Sequence, residues 1–264
     1  MSMGPDALAD CGPPSAGRVL VTGASRGIGR AIAEELLLRG AHLAVVGRAA
    51  DPLLSLSAEA PDRVTIVICD LSNASARSEI VPRAAEALGG LDAFVSAAGV
   101  IRYQAVPYVD EDALREQLEV NLVAPTMLAQ AAARVMQRGG SIVQITSTLA
   151  RRAAPSTLAY AISKAGLEAS VRGLALELAP RGVRVNAVCP GVIDTSMIRT
   201  PRPGAAAGLS DAQRVEEQLE ELRRLQPLGR LGASAEVAEA ALYLLDASFV
   251  TGTCLTVDGG LLAG

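Results

Sequence analysis

Short apolar runs alternate along this chain with longer runs of helical periodicity. Most of the short runs are continuously apolar rather than alternating, which is typical of strands buried on both faces of a parallel sheet. The predicted strands are RVLVTG (18–23), HLAVVG (42–47), VTIVICD (64–70), LDAFVSAAG (91–99), SIVQITS (141–147), RVNAVCPG (184–191) and CLTVDGG (254–260).

Helical patterns lie between these strands, as in residues 28–40 and 78–90, and both end at glycine, a common helix stop. Repeated strand–helix units require right-handed crossovers. They predict an α/β, Rossmann-like doubly wound parallel sheet of about seven strands with helices on both faces. We expect residues 1–17, which include several Gly and Pro, to form a disordered tail and residues 18–264 to form one domain.

One long irregular stretch interrupts this alternation, at about 194–227. A loop rich in Pro and Gly is followed by a helical run over 210–225, where Ser210 and Gln213 have capping-box spacing. Long excursions in compact domains are usually functional, so we expect a substrate lid here. An ordinary surface excursion is the alternative.

Composition and charge exclude several classes of protein. The net charge is −4 and no basic run occurs, so we expect neither nucleic acid nor an anionic membrane as a partner. No apolar stretch is long enough to span a bilayer. The single histidine, His42, and the scattered cysteines have no metal-site spacing, so we expect no metal and a reducing, cytoplasmic location.

The segment TGASRGIG (22–29) joins the first predicted strand to the first helix. Glycines here permit a tight turn and a close approach of the backbone to a pyrophosphate, while the helix N-terminus provides N–H donors. A glycine pattern between a strand and a helix therefore predicts dinucleotide binding.

The spacing G-x-x-x-G-x-G resembles that of the short-chain dehydrogenase/reductase family, and the resemblance extends from about Arg18 to Gly260. Further family-like segments are CDLS (69–72), SAAG (96–99, where the family usually has N-N-A-G), VNLVAP (120–125), YAISK (160–164) and PGVIDT (190–195). The resemblance implies an oxidoreductase that interconverts a secondary alcohol and a ketone. The cofactor-binding residues that we expect are Gly23, Ser25, Arg26, Ile28, Gly29, Arg48, Asp70, Leu71, Ala98, Gly99, Asn121, Tyr160, Lys164, Pro190, Gly191, Ile193 and Thr195.

The choice of cofactor depends on the end of the second strand. NAD enzymes usually carry an acidic residue there to bind the ribose hydroxyls. This chain has Gly47 and Arg48 instead, and Arg26 lies in the glycine loop. Two guanidiniums without a carboxylate suit a 2′-phosphate, so we expect NADP(H) rather than NAD(H).

Tyr160 and Lys164 lie four residues apart, on one face of a predicted helix. A free phenol has a pKa of about 10, and an adjacent ammonium favours the phenolate, so we expect Lys164 to lower the pKa of Tyr160. Ser147, at the end of its strand, is placed to hydrogen-bond a substrate oxygen. The resemblance adds a ribose contact for Lys164 and a fourth catalytic residue, Asn121. Pro125, four residues after Asn121, has no N–H to bond the Asn121 carbonyl, so that carbonyl is left free to bind a water.

The substrate is expected to be a free small molecule that contacts Ser147, Leu149, Arg151, Leu158, Tyr103 and Met197. One alternative is a 3-oxoacyl-(acyl-carrier-protein) reductase, but Leu176 stands where those reductases typically have an arginine. A second alternative is an NAD-dependent cyclic alcohol or dihydrodiol dehydrogenase.

An alternative from another class is a non-catalytic NADP-binding sensor, against which the intact Ser147, Tyr160 and Lys164 argue. The last predicted strand resembles the one through which many family members assemble, so we expect a homotetramer or homodimer.

Overall fold

Strand β1 (Arg18–Thr22) lies inside a seven-stranded sheet whose strands all pair in parallel, in the order β3-β2-β1-β4-β5-β6-β7. The computed structural model describes residues 14–137, 139–202 and 210–264. The other strands are β2 (His42–Gly47), β3 (Val64–Ile68), β4 (Ala93–Ser96), β5 (Ser141–Ile145), β6 (Arg184–Pro190) and β7 (Cys254–Val257). The predicted fold class and each predicted strand are confirmed.

Helices cover both faces of the sheet, as predicted. Within the described residues they are α1 (Gly27–Leu38), α2 (Asp51–Glu59), α3 (Ala74–Ser78), α4 (Ile80–Leu88), α5 (Glu111–Leu118), α6 (Ala124–Val135), α7 (Leu158–Leu178), α8 (Asp211–Arg224) and α9 (Ser234–Asp246). A π-helical turn, Glu119–Val123, joins α5 to α6. Short 3₁₀ turns occur at Pro14–Ala16, Thr148–Ala150, Ala179–Arg181 and Ser196–Arg199.

The pleat of β1 divides the core into two layers. Val19 and Val21 pack with α1, α2 and α9, while Leu20 packs on the other side with α4, α6 and α7. All three side chains are fully buried. Continuous apolar sequence in this strand therefore reflects burial on both faces.

The strand order reverses between β1 and β4, because β1 leads to β2 on one side and β4 leads to β5 on the other. The loops that follow these two strands separate there and open a crevice at the carboxyl ends of the strands. The catalytic and cofactor motifs predicted from sequence follow the strands at this same end of the sheet.

The N-terminal segment enters the fold earlier than Arg18. Ser15 is fully buried, and its hydroxyl donates a 2.6 Å hydrogen bond to Asp246 of α9. Residues 1–13 of the expected tail lie outside the described residues. No helix in the described ranges is long and apolar enough to cross a membrane.

The segment predicted as a lid contains helix α8, whose Ser210 and Gln213 form the predicted capping box. Leu219 and Leu222 of this helix are buried. Residues 203–209, which include most of the preceding loop, lie outside the described part of the chain.

Candidate active site

Two adjoining cavities open at the carboxyl ends of the strands, and they share Ile28, Ala97, Gly99, Thr195 and Met197. The first, which we call the substrate cavity, contains Ser147 and Tyr160. The second, the dinucleotide cleft, contains the glycine loop. Of the predicted cofactor residues, the cleft is lined by Gly23, Ser25, Arg26, Ile28, Gly29, Arg48, Asp70, Leu71, Ala98, Gly99 and Thr195. The substrate cavity is lined by the predicted Tyr160, Lys164, Pro190, Gly191 and Ile193.

The glycine loop packs so closely that side chains would not fit. A Cβ on Gly23, whose φ is +73°, would lie 2.6 Å from the backbone nitrogen of Ala98. A Cβ on Gly29 would lie 2.3 Å from the carbonyl oxygen of Gly23. The loop and the start of α1 therefore present bare backbone to the cleft, which suits a pyrophosphate.

The end of β2 packs against the Ser25 side chain of the glycine loop. A Cβ on Gly47 would lie 2.2 Å from the Ser25 hydroxyl oxygen. The next residue, Arg48, is exposed and lines the cleft, as does Arg26 at the N-cap of α1. Arg48 therefore lines the cleft directly after the strand end where an NAD enzyme would usually carry a carboxylate, and Arg26 lines it from the glycine loop.

Asp70 borders the same cleft after β3. Its carboxylate accepts hydrogen bonds from the Ser72 backbone N–H at 3.0 Å and from the Ser72 hydroxyl at 2.9 Å. These bonds, followed by the charge of Arg48, hold the pKa of Asp70 below its usual value. Asp70 is thus an ionised acceptor at neutral pH.

Tyr160 lies in the first turn of α7, is buried, and lines the substrate cavity together with Ser147. Ser147 directly follows Thr146 at the end of β5, and its hydroxyl oxygen accepts the Leu149 N–H at 3.1 Å. Burial raises the pKa of Tyr160, an effect that the nearby Ser147 hydroxyl only partly offsets. In this structure the phenol therefore holds its proton at neutral pH.

The expectation that Lys164 lowers the pKa of Tyr160 is not met. The Lys164 ammonium lies 5.7 Å from the centroid of the Tyr160 ring and donates a 2.8 Å hydrogen bond to the Ile145 carbonyl. Its own pKa falls to about 8, because burial penalises the charged form. The two groups do share a helix face and a cavity, as their spacing predicts.

Asn121 lies in the π-helical turn and is fully buried, behind the cavities rather than in their lining. Its side chain accepts the Val100 N–H at 2.8 Å and donates to the Val100 carbonyl at 2.8 Å and to the Ser163 hydroxyl at 3.1 Å. Asn121 thus joins the loop after β4 to helix α7, two elements that border the site.

Three of the other predicted substrate contacts, Tyr103, Leu149 and Met197, line the substrate cavity. Arg151 and Leu158 do not appear in its lining. The Arg151 guanidinium instead pairs with Glu168 of α7 at 3.1 Å, and Leu158 begins that helix with its side chain half exposed.

Several lining residues were missed by the sequence analysis. The fold brings them to one cavity from separate segments of the chain: Ile101, Ile198, Arg202, Leu222, Leu225 and Leu261. Residues that were missed in the dinucleotide cleft include Val46, Ser72, Val100 and Glu116. For Leu222 and Leu225 the predicted lid helix was the available signal.

The fold also brings together a cluster of one carboxylate and two thiols that no sequence motif predicts. One donor atom each from Glu168, Cys189 and Cys254 lies within 4.8 Å of the others. Because the Glu168 carboxylate is bound by Arg151 and accepts from Cys254 at 3.3 Å, we assign no metal to this cluster.

Comparison with known proteins agrees with this geometry. Residues 23–262 match a family model described as enoyl-(acyl carrier protein) reductase. The chain is 36% identical to carbonyl reductase family member 4 of Danio rerio, over 92% of this chain and 96% of the relative. It is 33% identical to the 3-oxoacyl-(acyl-carrier-protein) reductase of Bos taurus, over 91% and 96% respectively.

Solved structures show the same fold. A short-chain dehydrogenase of Burkholderia cenocepacia in complex with NADP has a TM-score of 0.83 and 35% identity, covering 95% of this chain and 100% of that one. The aldohexose dehydrogenase of Thermoplasma acidophilum also scores 0.83, at 32% identity, covering 96% and 97%. The chain therefore belongs to the short-chain dehydrogenase/reductase family of oxidoreductases, which bind a nicotinamide cofactor.

Proposed function

We propose that this enzyme interconverts a secondary alcohol and a ketone with NADP(H), and that Tyr160 is its general acid and base. The observation that carries the proposal is that Ser147, Tyr160 and Lys164 line one cavity, which adjoins the dinucleotide cleft. The nicotinamide supplies or accepts the hydride. The protein must then deliver a proton to the carbonyl oxygen, or remove one from the alcohol.

Tyr160 is suited to the reductive direction because burial keeps its phenol protonated. In that direction the phenol gives its proton to the substrate oxygen, while the Ser147 hydroxyl donates a hydrogen bond to the same atom. The Lys164 ammonium lies 5.7 Å from the centroid of the Tyr160 ring. It does not set the pKa of Tyr160 in this structure, and its proposed role is to attract the negative charge that develops on Tyr160 as the proton departs. Asn121 acts as a positioning residue through its bonds to Val100 and Ser163.

The preference for NADP(H) over NAD(H) rests on Arg26 and Arg48 at the cleft. The packing of Gly47 supports it, since a side chain at the end of β2 would have to displace the Ser25 hydroxyl. The structural relative from Burkholderia cenocepacia was solved with NADP. Arg48 is proposed to bind the 2′-phosphate, and Asp70 the adenine.

The substrate is proposed to be a free small molecule. In support, Leu176 on α7 is 79% exposed and offers no charge to an acidic carrier protein. The alternative, reduction of a carrier-bound 3-oxoacyl chain, is favoured by the names of relatives such as the bovine enzyme. Arg172, one turn earlier on α7 and also exposed, is the available docking cation for that alternative.

Assembly into a homotetramer or homodimer is part of the same proposal. Strand β7 is the edge of the sheet, and all its residues are partly exposed. Phe249, just before it, is fully exposed. Light scattering coupled to gel filtration would measure the mass of the assembly.

The experiment that tests the function is a cofactor and substrate panel. Purified enzyme is incubated with NADPH or NADH and with small ketones, a 3-oxoacyl carrier-protein conjugate, and an enoyl thioester. We expect oxidation of NADPH with small ketones. A clear preference for the conjugate would favour the carrier-protein alternative, and absence of turnover with every substrate would favour the sensor alternative.

A further inference from the structure

The charged residues that line the substrate cavity are all cationic. Its charged lining residues are Arg152, Lys164 and Arg202, and no Asp or Glu occurs among the described residues that line it. This contrasts with the chain as a whole, which is net acidic. Most of the remaining lining is apolar, so the field of these cations is poorly screened inside the cavity.

Arg202 is held in place by its neighbours. Its guanidinium carbon lies 5.4 Å from the centroid of the Tyr103 ring, in a cation–π contact. Its backbone N–H donates to the Gln218 side chain of α8 at 3.1 Å, and Gln218 in turn donates to the carbonyls of Ile198 and Thr200. Because Gln218 is itself buried, the Arg202 backbone is fixed at the cavity before any ligand binds.

Arg202 nevertheless lacks an anionic partner within the described part of the chain. Its buried Nε has no hydrogen-bond partner there, and it forms none of the ion pairs found among the described residues. By contrast, the nearby Arg199 pairs with Asp194 at 2.6 Å. The sequence of 203–209 contains no acidic residue that would pair with Arg202. A buried N–H without a partner is costly, which is expected where a ligand provides the acceptor.

Arg152 offers a second, weaker cation. It is exposed, and one of its terminal nitrogens donates to the Leu261 carbonyl at 3.0 Å, which holds the C-terminal segment beside the cavity. The other nitrogens of its guanidinium have no partner among the hydrogen bonds of the described residues. Arg152 is therefore free to contribute to anion binding, although its contact with Leu261 shows that it also has a structural role.

We propose that the ketone or alcohol substrate carries a carboxylate, bound by Arg202 over Tyr103 and assisted by Arg152. This inference rests on the proposed function and names its substrate class. A guanidinium binds a carboxylate through two parallel hydrogen bonds. The apolar side chains of Ile101, Leu149 and Met197 contact the hydrocarbon between the carboxylate and the reacting carbon.

The test compares a series of straight-chain oxo acids, which differ by one methylene, with their methyl esters. We expect wild-type enzyme to have a higher kcat/KM for the acid at the best chain length. Arg202→Gln should lower kcat/KM for that acid about ten- to hundredfold and leave the ester within about threefold. Arg202→Lys should recover part of the loss, since it retains the charge. Arg199→Gln is the matched control, because Arg199 lies close in sequence but does not line the cavity.

A binding measurement separates this inference from the proposed function. Calorimetry with NADP⁺ present would give the Kd of each acid and ester for wild type and Arg202→Gln. If the wild type binds no acid more tightly than its ester, the carboxylate assignment is overturned even where ketones are reduced. An equal loss for acid and ester in Arg202→Gln would also overturn it, by making Arg202 merely structural. If acids bind with the expected preference but no ketone is reduced, the proposed function fails and the carboxylate site stands.

Discussion

The Lys164 ammonium donates a 2.8 Å hydrogen bond to the Ile145 carbonyl, at the end of strand β5. Ile145 precedes Thr146 and Ser147 in the same chain segment, so this bond joins helix α7 to the segment that carries Ser147. Burial then disfavours the charge of Lys164 and also disfavours the phenolate of Tyr160. The site therefore stabilises a protonated phenol beside a lysine whose pKa is about 8.

Tyr160→Phe tests the proton donor. The change removes one hydroxyl and leaves the buried ring, so we expect kcat for ketone reduction to fall at least about a hundredfold, in the range of general acid–base effects. The Kd for NADPH, measured by fluorescence titration, should change little. A variant that retains near wild-type kcat on a good substrate would contradict the assignment of Tyr160.

Lys164→Met tests the cost of burying the ammonium. The pKa of Lys164 is about 8 in the folded apo protein and has a usual value of 10.5. Between these two pH values the unfolded chain binds more protons, so this residue makes wild-type stability rise with pH. Below pH 8 the folded protein bears the full free-energy cost of burying the Lys164 charge. The methionine variant has no charge at this position, so its stability lacks this dependence on pH.

The measurement is the free energy of unfolding in urea, without cofactor, at several pH values from 7 to 10.5. We expect the difference between wild type and Lys164→Met to shift by roughly 3 kcal/mol in favour of wild type across this window. Parallel pH profiles for the two proteins would show that Lys164 is not buried as a charged group. Lys164→Met should also reduce turnover.

The fold was largely predictable from local patterns. Most strands are nearly continuous apolar runs, and the capping box at Ser210 and Gln213 begins α8 as the sequence indicates. Ser15 was not predictable in the same way. Its burial depends on Asp246, which is 231 residues away, and no local pattern carries that information.

Site residues that directly follow a strand were predictable from the sequence. Residues that reach the site only because the fold brings distant segments together were not. Ser147 and Tyr160 come together as expected, because β5 and α7 are consecutive elements. Arg151 and Arg152 are adjacent in sequence, yet Arg151 pairs with Glu168 while Arg152 lines the cavity. The sequence analysis named Arg151 as the substrate contact, because no local pattern shows which of two neighbours faces a cavity; that depends on the turn after Ser147.

Arg48→Ala tests cofactor choice. Loss of a charge-assisted contact costs about 1.5–3 kcal/mol, so the Kd for NADPH should rise roughly ten- to hundredfold while that for NADH changes little. Arg115→Ala is a suitable control, because Arg115 is highly exposed, pairs with Glu111 and lies outside both cavities. Equal losses for NADPH and NADH would refute the 2′-phosphate contact.

Gly47→Asp tests why the end of β2 has no acid. The new Cβ would lie 2.2 Å from the Ser25 hydroxyl oxygen, so the single variant should lose about 1–3 kcal/mol of stability through overpacking and bind both cofactors poorly. Ser25→Ala removes the obstructing oxygen. The next contact, a Leu53 methyl at 3.2 Å, belongs to a flexible side chain that has room to shift.

The double variant Ser25→Ala/Gly47→Asp should therefore regain stability relative to Gly47→Asp. Its carboxylate would repel a 2′-phosphate and accept hydrogen bonds from ribose hydroxyls, so preference should move towards NADH. Ser25→Ala alone is the control for any direct contribution of that hydroxyl to cofactor binding. Urea unfolding and paired titrations with NADPH and NADH measure both effects. If Gly47→Asp alone folds with wild-type stability, steric exclusion by Ser25 does not explain the missing acid.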